Sequence, residues 1–191
     1  MSENLMPANP DFHVGQFAKG RVAVFIDAAN IYHSLKNSPW KVDFGRLHHY
    51  LKIEVRLVHL GYYTAFDPHN NGQKNFLSYI EKEGYQVVKK EIKKIGKEDT
   101  LVRIKGSLDV ELALDAFELA TRFDTLLLFS GDSDFVPLVE KLRKRGISTI
   151  VVSKNGHVAW ELIQCALYIK LSSLRNAIES RDEDKRHSPR P

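Results

Sequence analysis

The stretch "TLLLFSGDSDF", residues 125–135, runs an unbroken apolar segment through Ser130 and Gly131 into two aspartates one residue apart, Asp132 and Asp134. Apolar residues in succession rather than in alternation are what a strand shows when helices cover both of its faces. The residues that follow, 135–145, carry helical apolar spacing, hold Pro137 in the first turn and stop at Gly146. A buried strand feeding a helix through a small-residue turn is one half of a strand-helix-strand unit. The question is why such a strand should end in a pair of like charges.

The same alternation extends outward in both directions. Strands are expected at 21–27, 55–63, 85–92, 125–130, 147–152 and, shorter, at 168–171; helices at 29–35, 44–52, 73–83, 110–123, 135–145 and 157–165. This order predicts an α/β fold: three layers, α/β/α, with a central, mainly parallel sheet wound by right-handed crossovers. In such sheets ligands bind beyond the carboxyl ends of the strands, where the strand order reverses. Residues 1–19 contain two prolines and no periodicity, and 176–191 are charged and end in Ser-Pro-Arg-Pro, so flexible segments are expected on either side of one domain at 20–175.

A chain of 191 residues with 43% hydrophobic and 10% aromatic residues is long and apolar enough for one core of ordinary size. Its apolar runs, such as residues 22–26, are strand-sized, and the first residues lack the basic start and apolar stretch of a secretory signal, so a soluble, cytoplasmic protein is expected. Cys165 is the only cysteine, which excludes an internal disulfide, and no Cys/His spacing suits zinc. The net charge of +4 mildly favours a polyanionic partner. Its distribution says more: Lys89, Lys90, Lys93, Lys94, Lys97, Arg103 and Lys105 crowd one stretch. Lys141, Arg143, Lys144 and Arg145 crowd another, where they also offset a helix dipole.

Position singles out the carboxylates. Asp27 ends the first strand and Asp132 follows the 125–130 strand across Gly131, so neighbouring strands would bring both to one rim of the sheet, with Asn30 and Asp134 within a turn. Asp109 lies on the same side of its helix as Leu112, Ala113, Ala116 and Ala120, whereas Glu111, Asp115, Glu118 and Arg122 gather on the other and are expected to face water. Helix capping is the alternative role for Asp27, Asp109 and Asp134, with Ser133 or Asp134 the expected cap of the helix that contains Pro137. Two carboxylates about 5 Å apart repel by roughly 3 kcal/mol at an effective dielectric near 20. A divalent ion removes that cost. Oxygen ligands without histidine or thiolate suit Mg2+ or Mn2+, ions that serve phosphate chemistry. With such an ion, Asn30 is expected to orient a water or the scissile phosphate, and Ser130 to hold a carboxylate or a phosphate oxygen.

Three blocks, "VAVFIDAANIYHSL", "KGSLDVELALDAF" and "LLLFSGDSDFVPLVEKLRKRGISTIVVS", resemble the signature segments of the NYN domain, a branch of the PIN-like metal-dependent ribonucleases, and most closely its bacterial LabA-like group. The resemblance spans residues 21–171. It implies a Mg2+- or Mn2+-dependent endoribonuclease acting on RNA, single-stranded in preference. The family's acidic positions fall on Asp27, Asp109, Asp132 and Asp134 as metal ligands and, with Asn30, as catalytic residues. Asp115 is a weaker candidate, and Lys105, in the family's Lys-Gly, is expected to contact phosphate.

Other chemistries fit less well. A haloacid-dehalogenase-type phosphatase needs an aspartate two positions after its nucleophile, whereas Asp27 is followed by Ala28 and Ala29; a glycine-rich dinucleotide turn, a Gly-x-Ser-x-Gly elbow and a phosphate loop are all absent from the sequence. The rival is a non-catalytic RNA-binding or adaptor module that retains the metal pocket, with Tyr62, Tyr63 and Phe66 stacking bases; core packing is the alternative use of these aromatics. Trp160 and Leu162, on a late helix, are expected in the core, a homo-oligomer face being the alternative.

Overall fold

The computed structural model describes residues 12–95, 103–105 and 107–181, with the backbone alone at 93–95 and 103–105. In chain order the elements are β1 (Arg21–Asp27), α1 (Ala28–Leu35), α2 (Phe44–Glu54), β2 (Arg56–Phe66), α3 (Asn71–Lys82), β3 (Gln86–Glu91), β4 (Lys93–Ile95), β5 (Arg103–Lys105), α4 (Asp109–Glu118), β6 (Thr125–Phe129), α5 (Val136–Lys144), β7 (Ser148–Ser153), α6 (Trp160–Cys165), β8 (Leu167–Lys170) and α7 (Arg175–Ile178). Six strands form one sheet in the order β3-β2-β1-β6-β7-β8, and every neighbouring pair is parallel. The chain winds outward from β1 to β3, crosses back through α4 to β6, and winds outward again on the other side. The order therefore reverses between β1 and β6, which opens a crevice at their carboxyl ends.

Strand alternation assigns the side chains to two cores. Val22, Val24 and Ile26 of β1 pack with Leu127 and Phe129 of β6 against Ile31, Leu47 and Ile80 from α1, α2 and α3. Ala23 and Phe25 pack with Leu126 and Leu128 against Leu112, Val139 and Leu162 from α4, α5 and α6. These are the three expected layers. The same alternation, carried two residues further, turns Asp27 and Ser130 toward the α4 layer. Leu112 (1% exposed) and Ala116 (0%) press α4 onto that face, so burial of the helix sets the height of Asp109 above the strand ends.

Several expectations are corrected. β2 continues to Phe66 rather than stopping at Tyr63, because β3 pairs with its whole second half, from Gly61↔Gln86 to Phe66↔Glu91. The helix expected at 110–123 ends at Glu118 and tightens into a 3-10 turn, Leu119–Thr121. The Lys-rich stretch includes an antiparallel ribbon, β4 with β5, whose three-residue strands are too short to announce themselves in the sequence. Of the flexible segment expected at 1–19, residues 12–19 are packed down. Val14 is fully buried, its N–H donates to Tyr50 Oη (3.0 Å), and Lys19 exchanges hydrogen bonds with the Thr125 hydroxyl (2.9 and 2.8 Å). The segment expected at 176–191 likewise begins inside α7: Ile178 is fully buried and its carbonyl accepts from Asp43 N (2.8 Å). Residues 1–11 and 182–191 lie outside the described residues.

Candidate acidic site at the sheet rim

Asp27 is 7% exposed at the end of β1 and caps α1, accepting from Asn30 N–H at 3.1 Å. Its second oxygen accepts from the Ser130 hydroxyl at 2.9 Å, a bond that joins the ends of β1 and β6. Burial pushes the Asp27 carboxyl above its usual range and the charges of Asp109 and Asp132 push the same way, while the two hydrogen bonds pull it back without cancelling the rise. Capping and site membership, alternatives at the level of sequence, thus coexist in one residue. Ser130 is fully buried and its hydroxyl donates its one proton to Asp27, so it holds the carboxylate here.

The turn after β6 is built around Gly131. Its N–H donates to Asn30 Oδ1 (3.0 Å) and its carbonyl accepts from Ala159 N (2.8 Å). A Cβ at this position would lie 1.9 Å from the carbonyl oxygen of His157, so only glycine lets the 154–159 loop close over the turn. Asp132 emerges from it with its N–H on Ser130 Oγ (3.3 Å), and its carboxylate accepts from Asp134 N (3.0 Å). Asp132, not Ser133 or Asp134, is therefore the side-chain cap of the 3-10 turn Ser133–Phe135 that precedes α5, and Asp134 is left exposed.

Asp109 starts α4. The Ser107 hydroxyl donates to its carboxylate, and Ser107 Oγ accepts from the Asp109 N–H (3.3 Å). Asp109, Asp132 and Asp134 each bring one carboxylate oxygen within 4.8 Å of the others. Two oxygens on opposite sides of one octahedral Mg2+ stand about 4.2 Å apart, so small side-chain rotations let all three reach a single hard cation. The donor set is entirely oxygen, which suits Mg2+ or Mn2+ and not the softer metals. Asp27, Asn30, Asp109 and Asp132 line a common cleft of about 270 Å³.

Sequence reasoning missed two residues of that cleft, His33 on α1 and His157 on the loop after β7, which also line it. His33 lies one turn beyond Asn30, and that spacing was the available signal; nothing local marks His157. Asp115 does not face water freely. It is half-buried and accepts from Tyr63 Oη at 2.8 Å, a pairing that ties α4 to β2 and, with burial, drives the phenol strongly upward. Tyr63 (3% exposed) and Tyr62 (5%) are core residues, which removes them as stacking platforms for bases. Phe66 is only partly buried and has Lys89 Nζ 6.0 Å from its ring centre. The backbone of Lys105 pairs with Lys93 in the ribbon, while its side chain lies outside what is described. Leu162 is fully buried as expected, but Trp160 is 67% exposed. No helix among the described residues is long and apolar enough to cross a membrane.

Comparison with known proteins agrees with this architecture. The family profile for the NYN domain matches residues 21–172. Low amplitude and bright protein LabA of Synechococcus elongatus is 33% identical over 169 residues, covering 85% of this chain and 90% of that protein. An uncharacterised protein of Methanocaldococcus jannaschii is 35% identical over 66 residues, 34% of this chain and 28% of that one. Among solved structures, a protein of unknown function from Vibrio parahaemolyticus superposes with a TM-score of 0.70 at 25% identity, covering 84% of this chain and 97% of the other.

Proposed function

The chain belongs to the NYN domain family, a PIN-like nuclease family, and from that premise we propose that it is a Mg2+- or Mn2+-dependent ribonuclease that cuts phosphodiester bonds of single-stranded RNA. The observation that carries the proposal is the convergence of Asp109, Asp132 and Asp134 within 4.8 Å at the switch point of the sheet, beside the buried Asp27. Three carboxylates in such a space repel one another, each close pair by about 3 kcal/mol at an effective dielectric near 20. No Lys or Arg is hydrogen-bonded to any of the three among the described residues. A doubly charged ion resolves that repulsion.

Asp109, Asp132 and Asp134 would hold the ion, with Asp27 completing the charge beneath them. When bound, the ion supplies Lewis acidity toward the phosphoryl group and a water acidic enough to attack it. The chain does the positioning. Ser130 and the Asn30 N–H fix both oxygens of Asp27, so its carboxylate meets the cleft in one orientation. Asn30 commits its side-chain oxygen to Gly131 N–H, which leaves its amide NH2 to donate to a phosphate oxygen or to the attacking water. Capping by Asp132 fixes Asp134 on the following turn.

The test is cleavage of an unstructured RNA and a DNA of the same sequence with Mn2+ or Mg2+, each repeated with EDTA and with Asp132→Asn. The proposal expects metal-dependent cutting of RNA, stopped by EDTA and lost in Asp132→Asn while RNA binding persists. RNA bound but never cut, with an affinity indifferent to metal and to Asp132→Asn, would replace the enzyme with a binding module.

A further inference from the structure

Trp160 is the largest side chain that the fold leaves in water, 67% exposed at the first position of α6. Leu162, two residues on and on the opposite side of the helix, is fully buried and already anchors α6 in the core, so packing does not require the indole. What distinguishes Trp160 from the other exposed apolar residues is the backbone in front of it. Ala159 N–H bonds to the Gly131 carbonyl at 2.8 Å, and Gly131 immediately precedes Asp132. The same loop is held a second time where Ser153 Oγ donates to the His157 carbonyl at 3.1 Å. A third constraint is the absence of space for any side chain at Gly131. His157, three residues before Trp160, lines the acidic cleft. Trp160, the first residue of α6, therefore directly follows a loop that forms one wall of the cleft and is tied to the turn before Asp132, although its own side chain is not part of the cleft lining.

Resting on the assignment of the cleft to RNA, we propose that Trp160 is the base-binding residue of the site: an unpaired base stacks on the exposed indole while the adjoining phosphate passes His157 toward Asp132. Indole stacking accepts every base, because each has a π-face, so it selects unpaired strands over duplexes without reading sequence. This supplies the single-strand preference that the carboxylates, which see only phosphate, cannot.

The experiment uses the full chain carrying Asp132→Asn, so that RNA is bound without turnover, and titrates it with an oligouridine and with an abasic ribose-phosphate oligomer of the same length. Binding is followed by tryptophan fluorescence and by anisotropy of an end label. Trp40, the only other tryptophan, is 8% exposed and contributes a constant background. Oligouridine is expected to quench the fluorescence and to bind roughly tenfold or more weakly to the protein that also carries Trp160→Ala, with Trp160→Phe restoring most of the affinity. The abasic oligomer should bind all three alike and quench none. Equal affinity of Trp160→Ala for oligouridine, or a matching loss for the abasic oligomer, overturns the stacking role while leaving an RNA site in place. Failure of the Asp132→Asn protein with Trp160 intact to bind oligouridine removes the ribonuclease assignment together with this one.

Discussion

Replacing Ser130 by alanine tests the linkage between the fold and the acidic site. Its hydroxyl is the only side-chain donor hydrogen-bonded to Asp27 among the described residues, 2.9 Å from one carboxylate oxygen and shielded from water by complete burial. A hydrogen bond to a charged group is worth about 1.5 to 3 kcal/mol. Losing it disfavours ionised Asp27 by that amount, and Mn2+ affinity at a fixed mildly acidic pH should fall about 10- to 150-fold. The direction with pH follows from the carboxyl already being raised by burial. A raised carboxyl holds its proton more tightly folded than unfolded, so its contribution to stability is fully present below the ordinary aspartate value of 3.8 and is lost as pH climbs through the folded value. Metal binding expels that proton, so apparent Mn2+ affinity rises with pH over the same window, and Ser130→Ala moves the rise to higher pH. Calorimetric Mn2+ titrations from pH 4.5 to 8 on both proteins measure this. Coincident affinity-pH curves would refute the coupling of Ser130 to the metal through Asp27.

Gly131→Ala should cost about 1 to 3 kcal/mol of stability by overpacking against the His157 carbonyl 1.9 Å away, and should abolish cleavage by displacing Asp132; a urea titration and an RNA assay check the two effects. Tyr63→Phe removes the bond to Asp115, and because Asp115 is half-buried the loss should sit at the lower end for a charged acceptor, about 1.5 kcal/mol, read as a drop in the urea midpoint at unchanged slope. Asp124 is held down to about 2 by its hydrogen bonds from Arg21, so its contribution is present above 3.8 and lost as pH falls toward 2. Carboxyl NMR should find that low midpoint, and Arg21→Ala should raise it only part of the way to the ordinary range, because the backbone N–H of residue 21 still donates to Asp124.

How far the sequence carries the account depends on where each residue's partners lie. Asp27 and Asp132 are marked by their own surroundings, each at the end of an apolar strand, and the winding order alone makes those strands neighbours. Asp109 is marked by the inward periodicity of Leu112 and Ala116. Asp115 shares that helix yet was misread, because what holds it is Tyr63, far away along the chain, and periodicity knows nothing of a phenol on another strand. Val14 has the same history: with Gly15 it docks a segment that otherwise looks like a tail, the Val14 N–H donating to Tyr50 and the Gly15 N–H to Glu54. His157 joins the cleft only because Gly131 has no side chain, and the requirement is visible once both loops are in place. The β4-β5 ribbon escaped notice because each of its strands is only three residues long.

The central claim is that the carboxylates at the rim form one cation site. Electron paramagnetic resonance of Mn2+ titrated into the parent protein, Asp109→Asn and Asp132→Asn tests it most directly. The account predicts saturable binding by the parent and at least a hundredfold weaker binding by either variant, with circular dichroism unchanged. Mn2+ that binds all three equally, or binds none, would contradict it.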